Sequence, residues 1–436
     1  MRGPDTHIML FPSGFEIVLK GAGNFLADWW WVFTPPVLLF LLQDMWLLYM
    51  RWKYFLSQEF ILLEIRLPQI VERTPKAMEQ VFAGLHGIWD EIKITDRYFK
   101  GTIPDKVSCE LISINGESHF IIRLPAKFKN LVEAHVWAQY PDAEISEVED
   151  YVDNIPVGIP DREYEAWGTE FMLSKQDAYP IRTYPYFEET VEERRLDPLS
   201  AFLEVMGSVG EGEQIWLQII VEPTLDDTWK KQGEELVAKL TGKRAKAKAR
   251  GMGQMLSEEL SGLPANVVRG ATIGLGEGAA QQQRMGPSEP PSLMMHLSPG
   301  ERAVVEAIEE NIAKLGFITG IRVLYIARRE VYNSATIAAI FGAIRQFNTL
   351  NLNGFRPDKR TLPKRFYVLQ KQRQFFRKRR LLRFYRMRWP SLARFVFNTE
   401  ELATIFHFPG QMVAQAPLVS RIESKRKEPP STLPRV

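Results

Sequence analysis

Trp29 to Arg51, WWWVFTPPVLLFLLQDMWLLYMR, constrains this chain more than any other stretch. So apolar a run reads as a membrane anchor, and everything after it as a body held at the membrane surface. Between Trp29 and Met50 the only strongly polar residues are Thr34, Gln43 and Asp44. As a helix those residues would span roughly 33 Å, enough for a bilayer core. Trp29, Trp30 and Trp31 stand at one end, with Trp46, Tyr49 and Trp52 near the other, in the pattern of interfacial aromatic belts. Pro35-Pro36 interrupts the run, with Thr34 as a natural N-cap and Pro35 at the first helical position. Val37 to Met50 alone would cover only about 21 Å, so an interfacial segment is the competing reading, and spanning is preferred. A secretory signal fits poorly, because no small-residue cleavage site follows the run and Arg51 and Lys53 come straight after it. Arg51 and Lys53 then put the C-terminal side in the cytosol by the positive-inside rule. The expected location is a bacterial inner membrane, crossed once, with the C-terminal body in the cytoplasm.

The chain's 436 residues leave room for two or three domains, and its proportions of charged and hydrophobic residues are ordinary for a globular protein. One cysteine, Cys109, rules out an intramolecular disulfide framework. The net charge of +2 hides an asymmetry: of 55 Lys and Arg, fifteen fall between Arg356 and Arg394, where Asp358 is the one acid. Such a segment faces an anionic partner or is neutralised by the chain's own acidic surface.

Taken in order, residues 1–28 form an N-terminal tail and 29–56 the anchor. Glu59–Leu67 predicts a buried strand, and Thr74-Pro75 starts a helix with Met78, Val81, Phe82 and Leu85 on one face. Two strands flank Asn115-Gly116, a strong hairpin signal. A helix over Phe128–Tyr140 and a strand over Ala143–Val148 complete a βαββαβ order across residues 57–150, that of a ferredoxin-like (split βαβ) unit. Residues 151–355 repeat the pattern with one strand unrecognised. A Gly-, Gln-, Met- and Pro-rich insertion at 243–297 interrupts them before the capping box Ser298-Pro-Gly-Glu301. The basic stretch 356–394 and a short helix with a Pro-rich tail, 395–436, follow. The expected class is α+β: an N-terminal transmembrane helix, two ferredoxin-like units and a basic C-terminal extension.

Chemistry is sparse. No phosphate-binding P-loop is present, since Gly242-Lys243 is followed by Arg244 and Val237 stands where the first glycine belongs. Gly274-Leu-Gly-Glu-Gly278 lies in the insertion and reads as linker. The six histidines show no metal-ligand spacing; His86 and His135 read as packed imidazoles, and the acids from Asp142 to Asp153 as solvated surface. The expectation is no catalytic residue, no metal and no cofactor, hence no enzyme. The basic stretch is the strong signal. Arg365, Arg373, Arg377, Lys378, Arg380, Arg383 and Arg386 are candidate phosphate contacts, with Phe375, Phe376 and Tyr385 as stacking surfaces. As a helix the stretch would carry arginine on nearly every face, unlike an ordinary core-facing helix. Anionic lipid, the protein's own acids around Glu188–Glu193, or a partner protein are the alternatives to DNA.

Phe395-Val-Phe-Asn-Thr-Glu-Glu-Leu-Ala-Thr-Ile-Phe-His-Phe-Pro409 and Lys425-Arg-Lys-Glu-Pro-Pro-Ser-Thr-Leu-Pro434 resemble the segment leading into the ATPase domain of conjugative-transfer and type IV secretion ATPases. Phe347–Pro357, Glu64–Pro68, Ala77–His86 and the Trp-rich anchor extend the likeness over nearly the whole chain. They resemble the membrane-anchored N-terminal region of a bacterial family whose longer members continue into a motor of the TraG/FtsK/HerA type. Here the sequence stops at Val436, before any Walker motif, so no ATPase residue is carried over. Either the motor is a separate polypeptide or the chain is part of a longer product. The resemblance implies a non-catalytic, membrane-anchored part of a DNA-transfer machine that docks a P-loop ATPase. A membrane-tethered nucleic-acid binder is the alternative, with a homo-oligomer possible in either case.

Overall fold

The computed structural model describes residues 13–68, 73–187, 196–242, 297–363, 368–410 and 421–422. The insertion at 243–296, the acids at 188–193, Arg365 and the tail beyond 422 lie outside them. The described residues fall into two compact units, one from residues 13–60 with 89–105 and the other from residues 61–88 with 106–422.

The first unit is built on α1 (Ser13–Ser57), a continuous helix that runs through Pro35 and Pro36. Thr34 is therefore no N-cap; its hydroxyl donates to the Trp30 carbonyl oxygen at 2.6 Å, one turn back. A turn of π-helix, Asp96–Lys100, packs on α1. There the Trp46 indole donates to the Tyr98 carbonyl at 2.9 Å. Gly101 follows at φ +69°, where a Cβ would strike the Met50 backbone, so glycine alone fits.

This helix overturns the membrane reading. No helix among the described residues is long and apolar enough to cross a membrane. Thr34, two prolines, Gln43 and Asp44 dilute the aliphatic residues, and the tryptophans and tyrosine are amphipathic. The transmembrane helix, the single-pass inner-membrane placement and the roles of Trp29, Trp30, Trp31, Trp46, Tyr49 and Arg51 as anchor residues are withdrawn with it.

The second unit is an α+β body on one sheet. Its strands are β1 (Phe60–Pro68), β2 (Val107–Ile114), β3 (Glu117–Pro125), β4 (Glu144–Val148), β5 (Tyr164–Leu173), β6 (Glu213–Thr224), β7 (Gly316–Arg328), β8 (Phe355–Pro357), β9 (Phe395–Asn398) and β10 (Arg421–Ile422). The order is β10-β1-β3-β2-β6-β7-β5-β8, with β4 also on β1 and β9 also on β7. Two quartets are visible in it, β4-β1-β3-β2 and β6-β7-β5-β8, each in the order of a split βαβ unit. They are not separate bodies, because β2 and β6 pair antiparallel from Val107↔Val221 to Ile114↔Gln214 and fuse them. β8, the strand unrecognised in the sequence, has three residues, too few to show a period of two. Asn115 and Gly116, at φ 54° and 90°, close the β2–β3 hairpin with the left-handed pair that its twist requires.

Helices cover one face of the sheet: α2 (Pro75–Leu85), α3 (Lys129–Gln139), α4 (Ser200–Gly207), α7 (Ser334–Arg345) and α9 (Thr399–Ile405) contribute Phe82, Val136, Phe202, Ile340 and Leu402 to the larger core. α5 (Thr228–Leu240) and α6 (Pro299–Ile312) pack on each other between β6 and β7. On the opposite face, α8 (Gln370–Arg386) and the segment Tyr151–Ile159 bury a second cluster around Trp216 and Leu324. Gly168 lets α8 come close, since a Cβ there would lie 2.8 Å from Leu381.

The short helix expected after the basic stretch is present, and Phe395–Pro409 is buried in the core; Phe397, Phe406 and Phe408 have almost no exposed surface. Asn398 and Glu401 form a complete capping box on α9, and Glu401 also accepts from the Ile181 N–H at 3.0 Å. Burial pushes the Glu401 carboxyl up to about 8, against the pull of its two backbone donors. Between about pH 4.3 and about pH 8 the folded chain therefore holds a proton that the unfolded chain has lost, so this group makes stability fall as pH rises through that window. Glu401→Gln, which keeps an acceptor for the cap, should flatten the decline in thermal midpoint between about pH 5 and about pH 8. An unchanged slope would assign the titration to another group.

Candidate nucleic-acid interface

α8 is amphipathic after all. Leu381, Leu382 and Tyr385 are buried on the sheet, and they set the helix phase that the arginines alone conceal. The sheet beneath them is polar where they end. Glu110 on β2, Gln218 on β6, Arg322 on β7 and Glu170 on β5 are register partners, Glu110↔Gln218, Gln218↔Arg322 and Glu170↔Arg322. All four are fully buried. The Gln218 amide donates to Glu110 at 2.8 Å, and Arg322 donates to Gln218 at 3.2 Å and to Glu170 at 2.9 Å.

This row seats the C-terminal end of α8. Arg322 donates to the carbonyl oxygens of Phe384 (2.7 Å) and Trp389 (2.6 Å), neutralising the negative end of the helix dipole. Arg388, at φ 47° just past the helix, folds back and donates to both oxygens of Glu110 at 3.0 Å and to Asp150 at 2.9 Å. Tyr151 donates to Glu110 at 2.8 Å, and its hydroxyl lies 2.6 Å from that of Tyr385. Burial alone would raise the Glu110 carboxyl; the Arg388 guanidinium, with hydrogen bonds from Arg388, Ser108 and Tyr151, brings it below the usual carboxylate range. Burial lifts Glu170 above it despite Arg322, and lifts the Tyr151 and Tyr385 hydroxyls well above theirs.

The predicted contact residues separate into two groups. Arg377 donates to the carbonyl oxygens of Lys359 (2.7 Å) and Leu362 (2.8 Å), and Lys378 pairs with Glu165 at 2.8 Å. Arg386 donates to the carbonyl oxygens of Val152 and Ile155, and Tyr385 is fully buried. These four face the protein and are removed from the phosphate-contact and stacking set. Arg373, Arg380 and Arg383 are exposed, as are Phe375 and Phe376. Two further exposed cations, Lys371 and Arg379, join them, the latter lying over the Phe375 ring at 5.1 Å. Phe376, Arg379 and Arg383 follow one another at helical spacing, and Phe376 is 68% exposed. Sequence reasoning passed over Lys371 and Arg379 because no phase was known; the Leu381-Leu382-Tyr385 triplet was the available signal. Asp150 likewise departs from the solvated acids around it.

Among the described histidines, His86 stands edge-on to Phe317 at 5.2 Å, while His119 meets Glu64 at 2.7 Å and His407 meets Asp197 at 3.0 Å. Among the described residues, no group of three or more His, Cys, Asp or Glu is placed to hold a metal ion.

The Glu110–Arg388 pair makes a quantitative prediction. Removing one member strands a buried charge, so Arg388→Met and Glu110→Leu should each cost about 3–5 kcal/mol in urea unfolding. The double variant should lose much less than the two losses added together. Additive losses would show that the two groups are not coupled.

The family described as "Domain of unknown function (DUF8128)" matches residues 59–418. No curated protein matches the chain. The expected link to conjugative-transfer or type IV secretion ATPases finds no support in these comparisons. The match covers most of the chain, from the start of β1 to beyond α9, and the chain belongs to the DUF8128 family.

Proposed function

We propose that the chain is a non-catalytic binding module that holds single-stranded nucleic acid against the outer face of α8. One observation carries this reading: the cations of α8 and the residues just past it are divided by burial, with the inward ones turned into the fold and the outward ones exposed beside exposed aromatics, Arg380 among them although it also donates to the Arg360 carbonyl oxygen at 3.2 Å. Arg377, Lys378, Arg386 and Arg388 are absorbed by carboxylates and carbonyl oxygens of the fold. Lys371, Arg373, Arg379, Arg380 and Arg383 stand outward with Phe375 and Phe376. Cations serve the phosphates, and an exposed ring next to them serves a base; a purely carboxylate-rich partner would use the first and leave the second unexplained.

For about five phosphate contacts on a single strand, affinity should fall roughly 100-fold between 50 and 200 mM salt. Replacing the five outward cations with glutamine should flatten that dependence and weaken all sequences alike. Phe376→Ala should cost about 1–3 kcal/mol while leaving the salt slope nearly unchanged. Fluorescence anisotropy with a short labelled oligonucleotide measures all three, and absence of binding at 50 mM salt would end this reading.

A further inference from the structure

Between Trp29 and Leu56, α1 carries large apolar side chains that are mostly half to two-thirds exposed, among them Leu39 (68%), Leu42 (65%) and Phe40 (63%). Together they present on the order of 1,000 Å², above the 300–600 Å² of the largest patch on a typical monomer and on the scale of one side of a stable interface. Within its own unit, α1 is met by the Asp96–Lys100 turn along the side of Gln43, Trp46 and Met50. A different side carries Val37, Phe40, Asp44, Leu48 and Arg51, all within about 80° of one another on a helical projection. Asp44 and Arg51 lie two turns apart on that side, and neither has an ion-pair partner among the described residues.

We infer that this side of α1 is the interface with a second copy of the chain, docked antiparallel about a two-fold axis between Leu47 and Leu48. The charges identify the occupant. In an antiparallel pair centred there, Asp44 of each copy meets Arg51 of the other, and Phe40 meets Phe55, with Leu47 and Leu48 at the axis. The surface is thus complementary to itself, as an isologous contact requires. A parallel pair would set Asp44 against Asp44 and Arg51 against Arg51, and like charges across an interface oppose association. The same contact explains why an acid interrupts the most apolar part of the chain.

Sedimentation of the full chain at tens of micromolar should give a dimer. Asp44→Arg alone and Arg51→Asp alone each create a like-charge pair and should weaken the dimer by roughly 100-fold or more. The double exchange D44R/R51D should restore it. Cys109 is fully buried, so an introduced cysteine reports cleanly: Leu48→Cys, at the axis, should cross-link under mild oxidation, and Val37→Cys should not. A monomeric parent chain, equal masses for the single and double variants, or a monomer obtained only with bound detergent would overturn the inference. So would Val37→Cys cross-linking as readily as Leu48→Cys, the signature of a parallel pair.

Discussion

Everything on the α8 face of the sheet depends on Arg322. It stands at zero exposure in the middle of the sheet, bonded sideways to Gln218 and Glu170 and upward to the carbonyl oxygens of Phe384 and Trp389. A guanidinium cannot shed its proton in a protein, so its burial is tolerable only because these acceptors surround it. The requirement runs both ways. The strands must hold Glu110, Gln218 and Glu170 in register, and α8 must end where its last carbonyl oxygens can be reached. An apolar row in the same positions would hold a helix without specifying where along the sheet it stops. The polar row fixes that stop, and with it which arginines of α8 turn outward.

Much of this architecture was legible in local sequence. Asn115-Gly116 announced its hairpin, and Ser298 announced its cap, because each signal is complete within four residues. The repeated βαββαβ order came from periodicity over the same short range, and β8 escaped it by having only three residues. The fusion of the quartets was not legible, since β2 and β6 are about a hundred residues apart and nothing in either strand names the other. Glu110, Gln218 and Arg322 each looked like an isolated polar residue in an apolar strand; only strand register turns them into neighbours.

The two strongest compositional signals misled in opposite ways. The run from Trp29 to Met50 was read by its apolar content, while its polar and amphipathic members decide that it falls short of a span. The run from Arg356 to Arg394 was read by its charge, while three apolar residues, Leu381, Leu382 and Tyr385, decide how the helix lies. In both stretches the minority residues carry the structural information. The basic residues that looked equivalent on paper divide into those that build the protein and those that face away from it.

The passage from β6 to β7 bears on how such a chain reaches its fold. These two strands form the longest ladder in the sheet, yet residues 225–315 separate them along the chain. Closing a loop costs entropy that grows only with the logarithm of its length, about 0.6 kcal/mol per doubling. The excursion enters through α5 and returns through α6, which pack so closely that a Cβ on Gly233 would meet the Ile312 side chain. That helix pair brings the two ends of the excursion together beside the sheet, so the register of β6 against β7 is set by α5 and α6 as much as by the ladder itself.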